Sequence, residues 1–309
     1  MSVHEDTLET AAPAPPQADG EAAPAVPEKP PTLVIQPSTG WSALNLSEVW
    51  QARELLWFFT MRDIKARYKQ SALGPIWIVL MPLVTSGLFS LIFGVLAGLP
   101  SGKLPYPIFV FSGMLAWNLF SRALTSASNS LRASQGLITK VYFPRLVIPI
   151  AATLASLLDF ALGFGILVIL MIVAGLAPGW QIVALPVFIL LPMITGLGLG
   201  LWFSALGVRF RDVTHAITFV SRFWMWATPV AYSSQVVFDN PNVPERWRPV
   251  LETLYQLNPT YLVVEGFRWS LFGDRVTAPD AMSLAAFGLI LAILFGGLYV
   301  FRRVAHNFA

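Results

Sequence analysis

A chain of 309 residues in which 55% are hydrophobic and only 12% charged is built to face lipid over most of its length. The absence of cysteine excludes disulfide scaffolds, thiolate metal sites and a cysteine nucleophile, and three scattered histidines leave little to build a His-rich metal cluster from. The formal net charge of +3 sits beside long uncharged runs rather than on a basic face with interleaved aromatics, which argues against nucleic acid as a partner.

Residues 1–40 stand apart in composition. Ala, Pro, Glu and Asp dominate from Met1 to Pro31, with no apolar run long enough to span a bilayer. Such a segment cannot bury enough surface to offset its chain entropy, so it is expected to be a disordered tail ahead of a membrane domain covering residues 41–309. From Ser47 to Gln70, Val49, Leu55, Phe58, Phe59 and Met61 alternate with Arg53, Glu54, Arg62, Lys65 and Lys69. With Trp50 and Trp57, this pattern predicts an amphipathic helix lying in the membrane interface.

A hydrocarbon core of about 30 Å needs roughly 20 apolar residues per helix, so the spacing of charges marks the crossings. No charge falls between Lys69 and Lys103, and a first span is expected from Pro75 to Gly98. A second begins near Pro107 and runs to about Ser126, with Arg122 near its end in a position to snorkel. Between Leu146 and Val208 the single charge is Asp159, and Ala177-Pro178-Gly179-Trp180 divides the run into spans near 147–175 and 182–207. A fifth apolar segment, Thr214 to Val237, is interrupted by Arg222 and by Thr228-Pro229, and a last one runs from Ala281 to Phe301. The expected fold is an all-α membrane protein with about six transmembrane helices. The mixed stretch from Asp239 to Asp280 reads as an amphipathic surface segment with short helices that dip into the membrane and return.

Basic residues decide orientation. Arg62, Lys65, Arg67 and Lys69, then Arg132, Lys140 and Arg145, then Arg209 and Arg211, then Arg302 and Arg303 all fall on one side if the crossings are counted this way. The positive-inside rule places that side, and with it both termini, in the cytoplasm.

Chemistry of a catalytic kind is hard to find. Gly102-Lys103 lacks the upstream glycine of a phosphate-binding loop, Ala97 standing there, and Leu104 replaces the following Ser or Thr. Gly196, Gly198 and Gly200 lie within a span, where small residues let helices approach closely. Asp159 and Arg222 are the charges near the middle of apolar segments, and a structural ion pair between them is the simplest expectation. The acids of the outer stretch, Glu265 among them, are expected to be solvated. No catalytic residue, metal ligand or cofactor of the chain itself is expected. Aromatics are abundant instead, with 11 Trp and 22 Phe. Phe219, Phe223 and Trp226 recur at i, i+4 and i+7, and Phe89 and Phe93 at i and i+4, so each set shares a helix face. Sugar rings present flat C–H faces that lie on aromatic faces without a fixed hydrogen-bond geometry, and such a wall would let a glycan slide.

Several segments together are similar to a known family. The run from Arg62-Asp63-Ile64-Lys65-Ala66-Arg67-Tyr68-Lys69 through Gly74-Pro75-Ile76-Trp77, the segment Lys140-Val141-Tyr142-Phe143-Pro144-Arg145, the turn Arg209-Phe210-Arg211-Asp212, and Asn258-Pro259 with Glu265 and Arg268 resemble ABC-2 type permeases that export polysaccharides and polyol phosphates. The resemblance covers residue 47 to the end. It implies a bacterial inner-membrane half-transporter that pairs with itself and with two copies of a nucleotide-binding subunit, where ATP and magnesium are bound. It further implies that the helix Val49 to Lys69 and the segment Asn129 to Lys140, including Arg132 and Gln135, contact that ATPase. The channel would lie between protomers, lined by Phe89, Phe93, Phe219, Phe223 and Trp226. Arg62, Lys65 and Arg67 could attract the pyrophosphate of a lipid-linked glycan such as O-antigen or capsule. The alternatives are the same architecture moving a teichoic-acid-like polyol phosphate or a small molecule, and a membrane-embedded glycan-modifying enzyme.

Overall fold

The computed structural model describes residues 46–69, 76–138, 143–210, 212–239, 241 and 243–305, and within them every regular element is helical. The proposed tail at 1–40, Pro75, Lys140 and Arg211 lie outside the described residues.

Two helices, α1 (Leu46–Gln51) and α2 (Arg53–Tyr68), form the amphipathic segment ahead of the spans. Its tryptophans Trp50 and Trp57 are exposed, while Phe59 is buried against the ring of Phe143, centroids 5.5 Å apart. Helix α3 (Ile76–Phe89) continues as a π-helical turn, Ser90–Leu96, and ends at Gly98, whose φ of +62° is the left-handed geometry that glycine adopts without strain. Then α4 (Tyr106–Ala133) leads through the single-turn α5 (Gln135–Ile138) to α6 (Val147–Leu154) and α7 (Ser156–Val173), which together make one apolar stretch. A 3-10 turn, Trp180–Ala184, opens α8 (Leu185–Arg209). The helical run is interrupted at residues 174–179: α7 ends at Val173, Gly175 takes a left-handed φ of +66°, and Pro178-Gly179 lie in the non-helical link before the 3-10 turn.

Helix α9 (Val213–Trp226) is followed by α10 (Gln235–Phe238), α11 (Arg248–Gln256), α12 (Pro259–Phe272) and finally α13 (Ala281–Ala305). Among the described residues five helical stretches are long and apolar enough to cross a bilayer: Val79–Leu96, Tyr106–Ala133, Val147–Val173, Trp180–Gly207 and Ala281–Val304. The fifth apolar segment of the sequence is not one helix. Thr228-Pro229 ends α9 after 14 residues, or about 21 Å at 1.5 Å per residue, short of a full hydrocarbon thickness. The single-turn α10 lies at the end of that fifth segment, and the short α11 and the buried α12 occupy the stretch from Asp239 to Asp280.

At the centre stands α4, which packs against α8, α6, α7 and α12. Small residues set this closeness. A Cβ added at Gly196 would lie 2.7 Å from the Cβ of Ala123, and one at Gly200 would lie 2.5 Å from that of Ala127, so α8 rests on α4 with almost no side chain between. Helix α13 packs on the other side of α8. Hydroxyls inside the spans return their hydrogen bonds to the local backbone, as Ser128 does to Leu124 O, Thr153 to Pro149 O and Thr195 to Leu191 O. Lipid offers no partner, so polar groups at this depth have to be satisfied internally.

Arg122 is not near the end of its helix. Because α4 runs on to Ala133, past the end expected at about Ser126, that arginine stands more than ten residues before the end of its helix, and Ala127 beyond it packs against Gly200 of α8.

Candidate functional site

Three groups of side chains stand out, and each is set by how its helix meets a neighbour. The first is aromatic. Phe219, Phe223 and Trp226 are all exposed on α9, at 62%, 62% and 49%, so the face expected from their spacing points away from the helical core. Phe219 and Phe223 lie with ring centroids 4.5 Å apart. Trp226 meets Phe89 at 5.7 Å and Phe93 at 6.3 Å, while Phe89 and Phe93 stand 5.7 Å from one another. The structure therefore joins the two sequence-predicted sets at Trp226. The rings meet at tilted or edge-on angles, the favoured geometry for aromatic pairs.

A polar chain supports the end of that face. The Tyr255 hydroxyl donates to Tyr232 Oη at 3.0 Å, and the Tyr232 hydroxyl donates to Trp226 O at 2.6 Å. Asn258, the N-cap of α12, does more than cap its own helix. Its Oδ1 accepts from Thr260 N at 3.1 Å and from Trp224 Nε1 at 2.9 Å, and its Nδ2 donates to Ala227 O at 3.0 Å. Pro259 takes the first helical position, where its missing N–H costs nothing.

The second group is the pair Glu265 and Arg268 on α12. Glu265, expected as a solvated charge, is buried, and Arg268 is inaccessible to solvent. Arg268 Nη1 donates to Pro229 O at 2.6 Å and to Glu265 Oε1 at 3.1 Å, and Nη2 donates to Val230 O at 2.6 Å and Phe109 O at 3.0 Å. Its guanidinium also lies 3.7 Å from the ring centroid of Phe109. The carbonyls of Pro229 and Val230 lie in the non-helical segment just after α9, outside its hydrogen-bond ladder, and a planar multidentate donor is suited to collect them. Gly113 makes the room, since a Cβ there would fall 2.6 Å from Val230 O.

The third group corrects an expectation. Asp159 does not pair with Arg222, which is exposed on α9. Its Oδ2 accepts from Arg67 Nη1 and, at 2.7 Å, from Arg122 Nη1, and its Oδ1 accepts from the Tyr68 hydroxyl. Asp159 is 3% exposed, against 29% for Arg67 and 39% for Arg122. Burial, followed by the hydrogen bond to Asp159 and its negative charge, pushes the Tyr68 phenol well above its ordinary value. Beside the cluster is a cleft of about 20 Å³ bordered by Pro82, Asn118, Arg122, Ser156 and Asp159. Tyr68 and Arg122 were not foreseen as partners. The available signal was that a lone carboxylate in an apolar run needs a cation, and charge spacing alone could not choose among Arg67, Arg122 and Arg222.

The remaining basic residues lie toward the interfacial helix and the turn after α4. Arg62 bonds its neighbour Asp63 at 2.8 Å and lies 4.7 Å from the Phe59 ring centroid, and Lys65 is exposed. Arg132 and Gln135 are also exposed, and Arg132 Nη1 donates to Thr214 Oγ1 at 3.2 Å, linking the end of α4 to the start of α9.

Comparison with known proteins matches residues 54–272 to the ABC-2 type transporter family. The chain is 29% identical over 261 residues to the O-antigen export system permease protein RfbA of Myxococcus xanthus, covering 83% of this chain and 95% of that protein. An O-antigen export system permease protein RfbA of Klebsiella pneumoniae is 27% identical over 259 residues, covering 83% and 94%. The polysialic acid transport protein KpsM of Escherichia coli is 24% identical over 249 residues, covering 78% and 90%.

Proposed function

The chain belongs to the ABC-2 type transporter family as a membrane subunit rather than an enzyme, and from that premise we propose that it exports a lipid-linked polysaccharide, of the O-antigen or capsule kind, across a bacterial inner membrane. The observation that carries the cargo assignment is the aromatic face of α9, exposed from Phe219 to Trp226 and extended by Phe89 and Phe93. Relatives named for O-antigen export and polysialic acid transport, matched over nearly their whole length, support it.

In this proposal two copies of the chain face one another and two copies of an ATPase subunit bind below, with ATP and magnesium held there and no cofactor in the chain itself. Both termini are cytoplasmic, in keeping with the basic residues that flank the spans. Helix α2 and the segment Asn129 to Lys140, which includes Arg132 and Gln135, form the surface that the ATPase contacts. Arg62, Lys65 and Arg67 attract the pyrophosphate of the lipid carrier to the cytoplasmic interface. The glycan then advances along Phe89, Phe93, Phe219, Phe223 and Trp226, which hold its C–H faces by contact area rather than by directional bonds, so that each sugar can leave as readily as it arrives.

The decisive experiment is deletion of the gene in its host followed by complementation. Loss of the surface polysaccharide, with lipid-linked glycan retained in the cytoplasmic leaflet, is the expected result, and unaltered surface glycan would overturn the assignment. Complementation with Phe223→Ala and Trp226→Ala together is expected to lower export while leaving the amount of inserted protein unchanged. Equal loss of both would mark the rings as packing groups.

A further inference from the structure

Asp159 is the single charged residue between Leu146 and Val208, yet three donors on two other elements converge on it. Arg67 and Tyr68 are the last two residues of the interfacial helix α2, Arg122 is inside α4, and the carboxylate is carried by α7. We propose that Asp159 is a positioning residue that couples α2 to the spans α4 and α7, so that a displacement of α2 is carried into the helical bundle.

The body of α2 rests on apolar contacts: Phe59, with Val49 of the preceding α1, is buried in a cluster with Leu146, Val147 and Ile148, and Phe143 lies against Phe59. Contacts of that kind are non-directional, and one helix can roll or slide over the other with little change in buried area. The end of α2 is held differently. Charge-assisted hydrogen bonds to a carboxylate that is 3% exposed are short, directional and strengthened by the low dielectric around them. They grip the last two residues of α2. Pro82 of α3 borders the adjoining cleft together with residues of α4 and α7, so the carboxylate that α2 reaches stands beside three of the spans.

The charge count matters as well. Two guanidiniums share one carboxylate, and the surplus positive charge is borne by side chains that are 29% and 39% exposed. The adjoining cleft of about 20 Å³ has room for a water molecule. Partners can therefore exchange around Asp159 without leaving it bare in the apolar interior. The carboxylate is the fixed point, and the arginines are the movable ones.

The inference rests on the reading that a separate ATPase drives export by this chain, and the test separates the two. The assembled complex of the full chain with its ATPase is measured for polysaccharide exported and for ATP hydrolysed, in wild type and variants. Asp159→Asn keeps the shape and loses the charge. The expected result is an assembled complex that hydrolyses ATP at close to the wild-type rate but exports about tenfold less per ATP, as loss of a charge-assisted coupling contact predicts. Tyr68→Phe, which removes one donor and no charge, is expected to lower the same ratio about threefold, and Asp159→Glu to restore most of it. An unchanged ratio in both Asp159→Asn and Tyr68→Phe would overturn the proposal. So would loss of hydrolysis and export in proportion to the amount of assembled complex, since a packing residue does that. If Asp159→Asn fails to assemble, the ratio for Tyr68→Phe decides. A wild-type complex that hydrolyses ATP but moves no polysaccharide would sink the functional reading and this inference with it, whereas a normal wild type with unaltered variants sinks the inference alone.

Discussion

The two ionic clusters, Asp159 with its arginines and Glu265 with Arg268, place charge inside an apolar fold in opposite ways. At Asp159 the carboxylate is buried and the cations are partly open, so positive charge is in excess and the bonds join three helices. At Arg268 the cation is inaccessible, its carboxylate is three residues away on the same helix, and its other bonds go to backbone carbonyls. The difference separates a joint from a lock. A cation that collects three carbonyls in a dry site has nowhere to go, because every alternative leaves those carbonyls unsatisfied in a medium without water. A carboxylate ringed by half-exposed cations can change partners.

That contrast can be broken from either side. The largest effect is expected from Arg268→Ala, which strands Glu265 and frees the carbonyls of Phe109, Pro229 and Val230. A loss of about 3–5 kcal/mol should appear as failure to recover folded protein in detergent. Gly113→Ala attacks the same lock through space, since the new methyl would press on Val230 O. About 1–3 kcal/mol is expected, read as a lower melting temperature with normal insertion. Asn258→Ala removes the acceptor of Trp224 Nε1 and the donor to Ala227 O and should cost about 1–3 kcal/mol, with a changed tryptophan fluorescence reporting a loosened Trp224. The smallest effect is expected from Tyr68→Phe, about 0.5–1.5 kcal/mol on the melting temperature, because two arginines still hold Asp159. A reversed order, with Tyr68→Phe more damaging to stability than Asn258→Ala, would show that the Asp159 cluster holds the fold more firmly than the Asn258 cap of α12.

Hydrophobicity itself ranks the helices in an unexpected order. Of the stretch Val79–Leu96 only 11% is buried, whereas 78% of the most apolar 18-residue window of the less apolar Tyr106–Ala133 is. In water the more apolar helix would be the core. In lipid the apolar helix is free to face the solvent, and position is decided by small residues and by the need to pair polar groups, both of which α4 has in Ala123, Ala127, Arg122 and its serines. The glycines of α8 were legible as packing residues for this reason, and the helix they touch was not.

Much of the site was legible in part. The i, i+4, i+7 spacing placed Phe219, Phe223 and Trp226 on one face, and the structure exposes all three. That Trp226 meets Phe89 and Phe93 depends on where α3 turns into its π-helical end and where Thr228-Pro229 stops α9. The acids of residues 239–280 looked like solvated loop charges because composition reports frequency and not depth, and α12 carries Glu265 into the interior with Arg268.

What the chain alone determined is the set of segments that can lie in lipid, and the reason is local: a charge in hydrocarbon has no solvent, so uncharged runs of sufficient length stand out without knowledge of any neighbour. The family motifs belong to the same kind of information, being short and contiguous. Tertiary structure alone decided which cation holds Asp159, why Arg268 tolerates burial, and how the aromatic face continues from one helix to the next. Each of these depends on side chains brought together from distant parts of the chain, and no spacing along the sequence carries the distance between two helices.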